Sequence, residues 1–119
     1  VTNMDISAVV IEQMSKRHAA LGQRFLQMDL TQMTFADNSF DVVFDKGTLD
    51  ALYSGNQTAV VLGVEEIYRV LRPNGTLFSI TMADAARRQD LKRSDWAWFK
   101  TLEIRQEPQA HYLHAMAKP

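Results

Sequence analysis

The chain has 119 residues, 46% of them apolar and 23% charged, with 13 basic and 14 acidic side chains and a net charge of −1. Those proportions describe one ordinary globular domain and argue against a disordered tail, a fibre or a basic nucleic-acid binder. The absence of cysteine excludes disulfides, thiolate metal sites and thiol nucleophiles and suits a reducing compartment such as the cytoplasm, and no apolar run approaches the roughly 20 residues that cross a bilayer.

Neither nucleic acid nor a membrane is therefore an expected partner. The chain opens on Val1 and enters a strand-like segment at once, so it reads as an excerpt. Val1 to Met4 is the first predicted strand, closed by Asp5. Ser7 stands where a helix N-cap belongs, and the spacing predicts a helix over 7–21. Its Val10, Ile11, Met14, His18 and Leu21 form one stripe that faces a sheet, and Gly22 supplies a left-handed stop. Arg24 to Met28 is a second strand, ending on Asp29. After "TQMTFADNS" a third strand runs from Phe40 to Phe44 and ends on Asp45.

Charge after so apolar a strand belongs at the rim of a sheet, where Asp45 and Lys46 are solvated or bound to ligand, because burial in mid-strand is costly. Gly47 permits a tight turn or a close ligand approach, and Thr48 is placed to cap a short helical stretch from Leu49 to Leu52. A helix over 57–71 presents Val60, Val64, Ile67, Tyr68 and Leu71 on one face and stops at Pro73-Asn74-Gly75. Thr76 to Met82 is a fourth strand. The polar stretch "ADAARRQDLKRSDW" fits a loop, a short helix or a mobile lid. Lys100 to Gln106 and Tyr112 to Ala117 are strand-like, and the five residues 107–111 between them demand an antiparallel hairpin. The alternation predicts an α/β fold: a three-layer sandwich with a mostly parallel sheet, helices on both faces and an antiparallel C-terminal hairpin.

In open parallel sheets ligands bind in the crevice outside the carboxyl ends of the strands. Those positions hold Asp5, Asp29 and Asp45. One carboxylate can accept both hydroxyls of a ribose, and an acid after the next strand lies where the amine of adenine can donate. Each acid alone is more often a turn former than a ligand; three that end apolar strands of one sheet describe a nucleoside site. No metal cluster is expected, since His111 and His114 lie three apart on a predicted strand and point to opposite faces, while His18 is on a helix. The six methionines read as core filler, and Trp96 and Trp98 as packing against the sheet edge or as an exposed shelf for a substrate.

The segments "VTNMDIS", "FLQMDLTQM", "FADNSFDVVFDKGTLDAL" and "EEIYRVLRPNGTLFSIT" resemble consecutive motifs of the class I S-adenosylmethionine-dependent methyltransferases. More narrowly, Asp-Lys-Gly-Thr-Leu-Asp-Ala resembles the group that methylates lysines, and in one member the N-terminus, of translation elongation factor 1A. The likeness covers residues 1–82 well. It implies a Rossmann-like fold, S-adenosyl-L-methionine as cofactor, and a protein substrate, with elongation factor 1A as the candidate. Residue by residue, it implies that Asp5 binds the ribose hydroxyls with Ile6 against the adenine, that Asp29 accepts the adenine amine and the Leu30 amide serves a ring nitrogen, and that Lys46 lines the cofactor pocket. Asp45 would stand beside the methyl group. A lysine with an ordinary pKa of about 10.4 must be neutral to attack, and Asp45 is the candidate to accept its proton.

The chain departs from this pattern in one respect. The family's first strand ends in a Gly-x-Gly turn, whereas Gly22, Gly47, Gly55, Gly63 and Gly75 are all far apart. The resemblance thus implies that residues 1–119 are a partial domain, from the second strand to the hairpin, inactive alone, with two inner edges exposed between the strands ending at Asp5 and Asp45. A second reading is a truncated, non-catalytic relative acting through protein contacts, in which those two strands pair directly or a partner fills the gap. A nicotinamide-dependent dehydrogenase is a third; Asp29 and the hairpin speak against it.

Overall fold

The computed structural model describes the backbone of residues 1–119 and the packing of all of them except Gly55. The elements run β1 (Thr2–Asp5), α1 (Ala8–Arg17), β2 (Arg24–Gln27), β3 (Phe40–Lys46), α2 (Thr48–Gly55), α3 (Gln57–Val70), β4 (Leu71–Thr81), β5 (Trp98–Arg105) and β6 (His111–Ala117). Short 3-10 turns lie at Ala19–Leu21, Leu30–Gln32 and Gln89–Leu91. β1 and β2 pair in parallel; β3, β4, β6 and β5 form a second sheet in that order, parallel from β3 to β4 and antiparallel beyond. Among the described residues no ladder joins β1 to β3, so the strands ending at Asp5 and Asp45 do not pair directly.

Local chemistry explains most boundaries. The Ser7 hydroxyl accepts the Val10 amide at 3.2 Å and starts α1, which ends at Arg17, four residues short of the expected stop. A 3-10 turn then carries the chain to Gly22, whose φ of 65° is the left-handed value. α3 gives way to β4 with no loop between them, and Pro73-Asn74-Gly75 falls inside the strand as an irregularity: Phe40 pairs with Leu71 and Val42 with Thr76. Asn74 has φ 66°, and a Cβ at Gly75 would stand 2.8 Å from the Arg72 carbonyl oxygen, so a side chain there is excluded.

The core lies under α3. Val60, Val64 and Ile67 pack on Leu49, Leu71, Leu77 and Met116, and β4 alternates accordingly, with Leu77, Ser79 and Thr81 buried and Phe78 and Ile80 half-buried. Trp96 joins this core and donates its indole N–H to Leu91 at 2.9 Å, whereas Trp98 is partly exposed; the two tryptophans pack differently and share no shelf. By contrast α1 buries no residue. Its stripe lines, with Met4 and Phe25, an open cleft of about 330 Å³. Along β3, Val42 and Phe44 are 55% and 62% exposed, an unusual state for a parallel strand of this composition.

Residues 30–39 join the two parts. Leu30 packs against Gly63 of α3, and Met33 donates its amide to Glu66 at 2.7 Å. Arg69 donates to the carbonyls of Phe35 and Met33 at 2.7 and 3.0 Å and to Asp37 at 2.8 Å. Among the described residues no helix is long and apolar enough to cross a membrane.

Candidate functional site

The parallel register sets Asp5 opposite Gln27, and the Met28 amide donates to the Asp5 carbonyl at 3.0 Å, so the carboxyl ends of β1 and β2 lie level. At that rim Asp5 receives the Ser7 amide on Oδ1 at 2.8 Å, which leaves Oδ2 for a further donor. Ile6 follows, 65% exposed, its carbonyl held by the Gln27 side-chain amide at 3.2 Å. Asp29 caps the turn Leu30–Gln32: Oδ1 accepts the Thr31 amide at 2.8 Å and the Thr31 hydroxyl at 2.7 Å. These donors, the hydroxyl first, hold its carboxyl below the usual carboxylate range. Leu30 is the first residue of that turn, where a backbone N–H has no intrahelical partner.

Asp45 and Lys46 end β3 in the other sheet. The two rims approach one another at Gly63, where a Cβ would meet Leu30 at 3.2 Å and Leu52 of α2 at 3.4 Å. Asp5, Ile6, Asp29 and Leu30 are thus brought together on one rim, and Asp45 and Lys46 lie on the next.

Asp45 corrects the sequence expectation. The strand continues to Lys46, and Asp45 is buried within it at 6% exposure rather than solvated after it. Three donors offset the cost. The amides of Thr48 and Leu49 reach Oδ1 at 3.0 and 3.2 Å, and the Ser79 hydroxyl reaches Oδ2 at 2.6 Å. Gly47, with φ 87°, occupies the N-cap of α2 without a side-chain bond, so Asp45, not Thr48, satisfies the leading amides of that helix. Burial pushes the Asp45 carboxyl up, against the pull of these donors. Lys46 beside it is exposed.

Sequence reasoning missed the partners of Asp45. Asp45 is in register with Ser79, Ser79 with His114, and His114 with Thr101, so four polar side chains cross all four strands in one row. His114 is fully buried and spends both ring nitrogens, Nε2 on the Ala83 carbonyl at 2.8 Å and Nδ1 on the Thr101 hydroxyl at 2.9 Å. The carbonyl can only accept, so Nε2 carries the proton. A signal existed: Ser79 and His114 are polar residues at inward positions of otherwise apolar strands. For Arg88, buried against Asp50, the sequence offered none.

Comparison with known proteins shows the family and the fold. The family described as "Methyltransferase domain" matches residues 1–79. The chain belongs to that family. This domain is 45% identical over 91 residues to the eEF1A lysine and N-terminal methyltransferase of Bos taurus, covering 71% of the chain and 13% of that protein. It is 43% identical to the Homo sapiens protein of the same name over 91 residues, with the same coverage, and 39% identical over 94 residues to EEF1A lysine methyltransferase 4 of Bos taurus, covering 70% of the chain and 37% of that protein. The chain therefore spans about an eighth of the first of these relatives.

Among solved structures, the N-methyltransferase NodS from Bradyrhizobium japonicum WM9 in complex with S-adenosyl-L-homocysteine aligns with a TM-score of 0.76 at 17% identity, over 99% of the chain and 66% of NodS. PH0226 protein from Pyrococcus horikoshii OT3 aligns at 0.80 and 15% identity, over the whole chain and 71% of that protein. The fold is the Rossmann-like α/β fold of the methyltransferases, with its parallel core and antiparallel C-terminal strands.

Proposed function

We propose that residues 1–119 are the part of an S-adenosyl-L-methionine-dependent methyltransferase domain that runs from its second strand to its C-terminal hairpin, and that the domain transfers methyl to a lysine or N-terminal amine of a protein, elongation factor 1A being the candidate acceptor. One observation carries this reading. Asp5 and Asp29 sit at level ends of two adjacent parallel strands, each with one carboxylate oxygen already used by its own turn and one left for a ligand. With the Leu30 amide and the exposed Ile6 they fit an adenosine: two acceptors for the ribose diol and the amine, one donor for a ring nitrogen, and an apolar side chain for a ring face.

The cofactor supplies a methyl group already activated on a sulfonium, so the chain's own work is to align a neutral amine and give its proton somewhere to go. Lys46, at the end of β3, lines the neighbouring rim. For Asp45, whose oxygens already receive three hydrogen bonds, the geometry favours holding Lys46, Gly47 and the start of α2 in place over accepting the proton itself. The unpaired edges of β1 and β3 suit one further parallel strand of a longer polypeptide between them. A cytoplasmic location agrees with the lack of cysteine.

Calorimetric titration with S-adenosyl-L-homocysteine, of this chain and of one extended upstream, tests the reading. The extended chain is expected to bind, and Asp5→Ala to weaken binding by about tenfold or more, the worth of a charge-assisted hydrogen bond. A folded core that binds nothing in either form would establish the non-catalytic alternative.

A further inference from the structure

The cofactor rims described above end at β3 and α2, and the next strand end across the same sheet is that of β4. There residues 82–91 leave the sheet, beginning beside His114 of the polar row at Ala83 and ending on the fully buried Leu91. A chain of polar contacts ties the segment down. His114 donates to the Ala83 carbonyl at 2.8 Å, and the Ala83 amide donates to the Thr81 hydroxyl at 3.1 Å. That hydroxyl in turn donates to Asp50 Oδ1 at 2.6 Å. Arg88, only 2% exposed, pairs with the same Asp50 oxygen and, through Nε at 3.1 Å, with Asp90. Its guanidinium stands 5.4 Å from the centre of the Tyr53 ring.

Stability alone does not account for this arginine. A buried ion pair recovers its desolvation cost only when every donor and acceptor is met. Here Arg88 Nη2 and Asp90 Oδ2 are both buried without a partner, so an apolar side chain of similar volume would serve the core as well. What the pair does supply is a fixed position. Asp50 lies in the first turn of α2, the helix that follows Lys46 and Gly47, so Arg88 locks the 82–91 segment to the element that ends the cofactor site.

We propose that Arg88 is a positioning residue that, through Asp50, holds residues 82–91 as the acceptor-side wall of the site and so sets the affinity for the protein acceptor. The inference rests on the methyltransferase reading. A cofactor held at its adenosine end by the rim of β1 and β2 would leave the ends of β3 and β4 to the acceptor, and Arg88 ties the segment after β4 to Asp50 in the first turn of α2, next to Lys46.

Arg88→Met and the isosteric Asp50→Asn, made in the extended, cofactor-binding protein, test it. Each is expected to raise KM for purified elongation factor 1A by about tenfold while leaving the Kd for S-adenosyl-L-homocysteine within about twofold, with Arg88→Lys intermediate. Amide exchange should quicken over 82–91 and not over β4. Unchanged KM in an active wild-type background overturns this inference alone, as does a parallel loss of cofactor affinity, acceptor affinity and melting temperature. A folded wild-type protein that binds no S-adenosyl-L-homocysteine overturns both this inference and the function it rests on.

Discussion

β4 and β1 are both strands with a parallel neighbour, yet they live in different surroundings. β4 has a partner on each edge and α3 across one face, and its inward residues Leu77 and Ser79 are almost wholly buried. Among the described residues β1 has β2 on one edge, no strand on the other and α1 over it, and no residue of β1, α1 or β2 is buried. Caps, turns and periodicity are as good in the second region as in the first. Local signals therefore suffice to set the elements, while burial depends on what stands opposite, and the stripe on α1 has a cleft opposite it.

Truncation in each region exposes the difference most directly. Ile67→Ala, at the centre of the α3 face, is expected to cost about 2–5 kcal/mol in urea unfolding. Met14→Ala, on the half-buried stripe of α1, should cost less, about 1–2 kcal/mol, because its side chain is only partly packed and faces an open cleft. In the chain extended upstream the Met14→Ala cost should rise toward that of Ile67→Ala. If it stays small there, the cleft is not the seat of a further strand.

Much of this contrast was legible in the sequence. The α3 stripe, the hairpin, the Ser7 cap and the acids after β1 and β2 all follow from short-range chemistry, since each depends on residues within a few positions of one another. What escaped was long-range. Asp45 reads as a solvated rim charge because its compensating Ser79 is 34 residues away and meets it only through the β3–β4 register. The Arg88 contact with Asp50 spans 38 positions, and the inclusion of Pro73-Asn74-Gly75 in β4 depends on pairing with β3. The unpaired edges of β1 and β3 among the described residues, by contrast, were expected, because the glycine turn of the pattern the sequence resembles has no counterpart in it.

Asp45 gives the next test, within the well-packed region. Asp45→Ala strands two helix-leading amides and the Ser79 hydroxyl and should cost about 2–3 kcal/mol. Asp45→Asn keeps an acceptor for the amides and should cost much less. The pH dependence has a definite sign. Burial raises the folded pKa, so the native state holds the proton more tightly than the unfolded chain. The Asp45 contribution is thus most favourable at low pH, falls as pH rises from the unfolded value through the folded one, and is level above. Urea unfolding across that interval should show this fall in the wild type and not in Asp45→Asn, as the difference between the two curves. In an active extended protein, Asp45→Asn should keep most of the turnover; a loss of about a hundredfold or more with cofactor affinity intact would make Asp45 the proton acceptor after all.

The smallest expected effect lies in the open region and sharpens the comparison from its other side. Ser7→Ala removes the hydroxyl that accepts the Val10 amide, a cap worth about 1 kcal/mol. In a helix that packs deeply such a loss is shared with tertiary contacts. Here α1 has ten residues and buries none of them, so the cap carries an unusual share of the helix. Far-ultraviolet dichroism of this chain should show helix lost in Ser7→Ala at temperatures where α3 is still folded, with exchange quickening over 8–17 first. The loop from Asp5 to Ser7 would loosen with it, since the Ser7 amide is what occupies Asp5 Oδ1. If helix content and exchange are unchanged, α1 is held by its contact with β1 and β2 alone, and the two regions differ less than their burial implies.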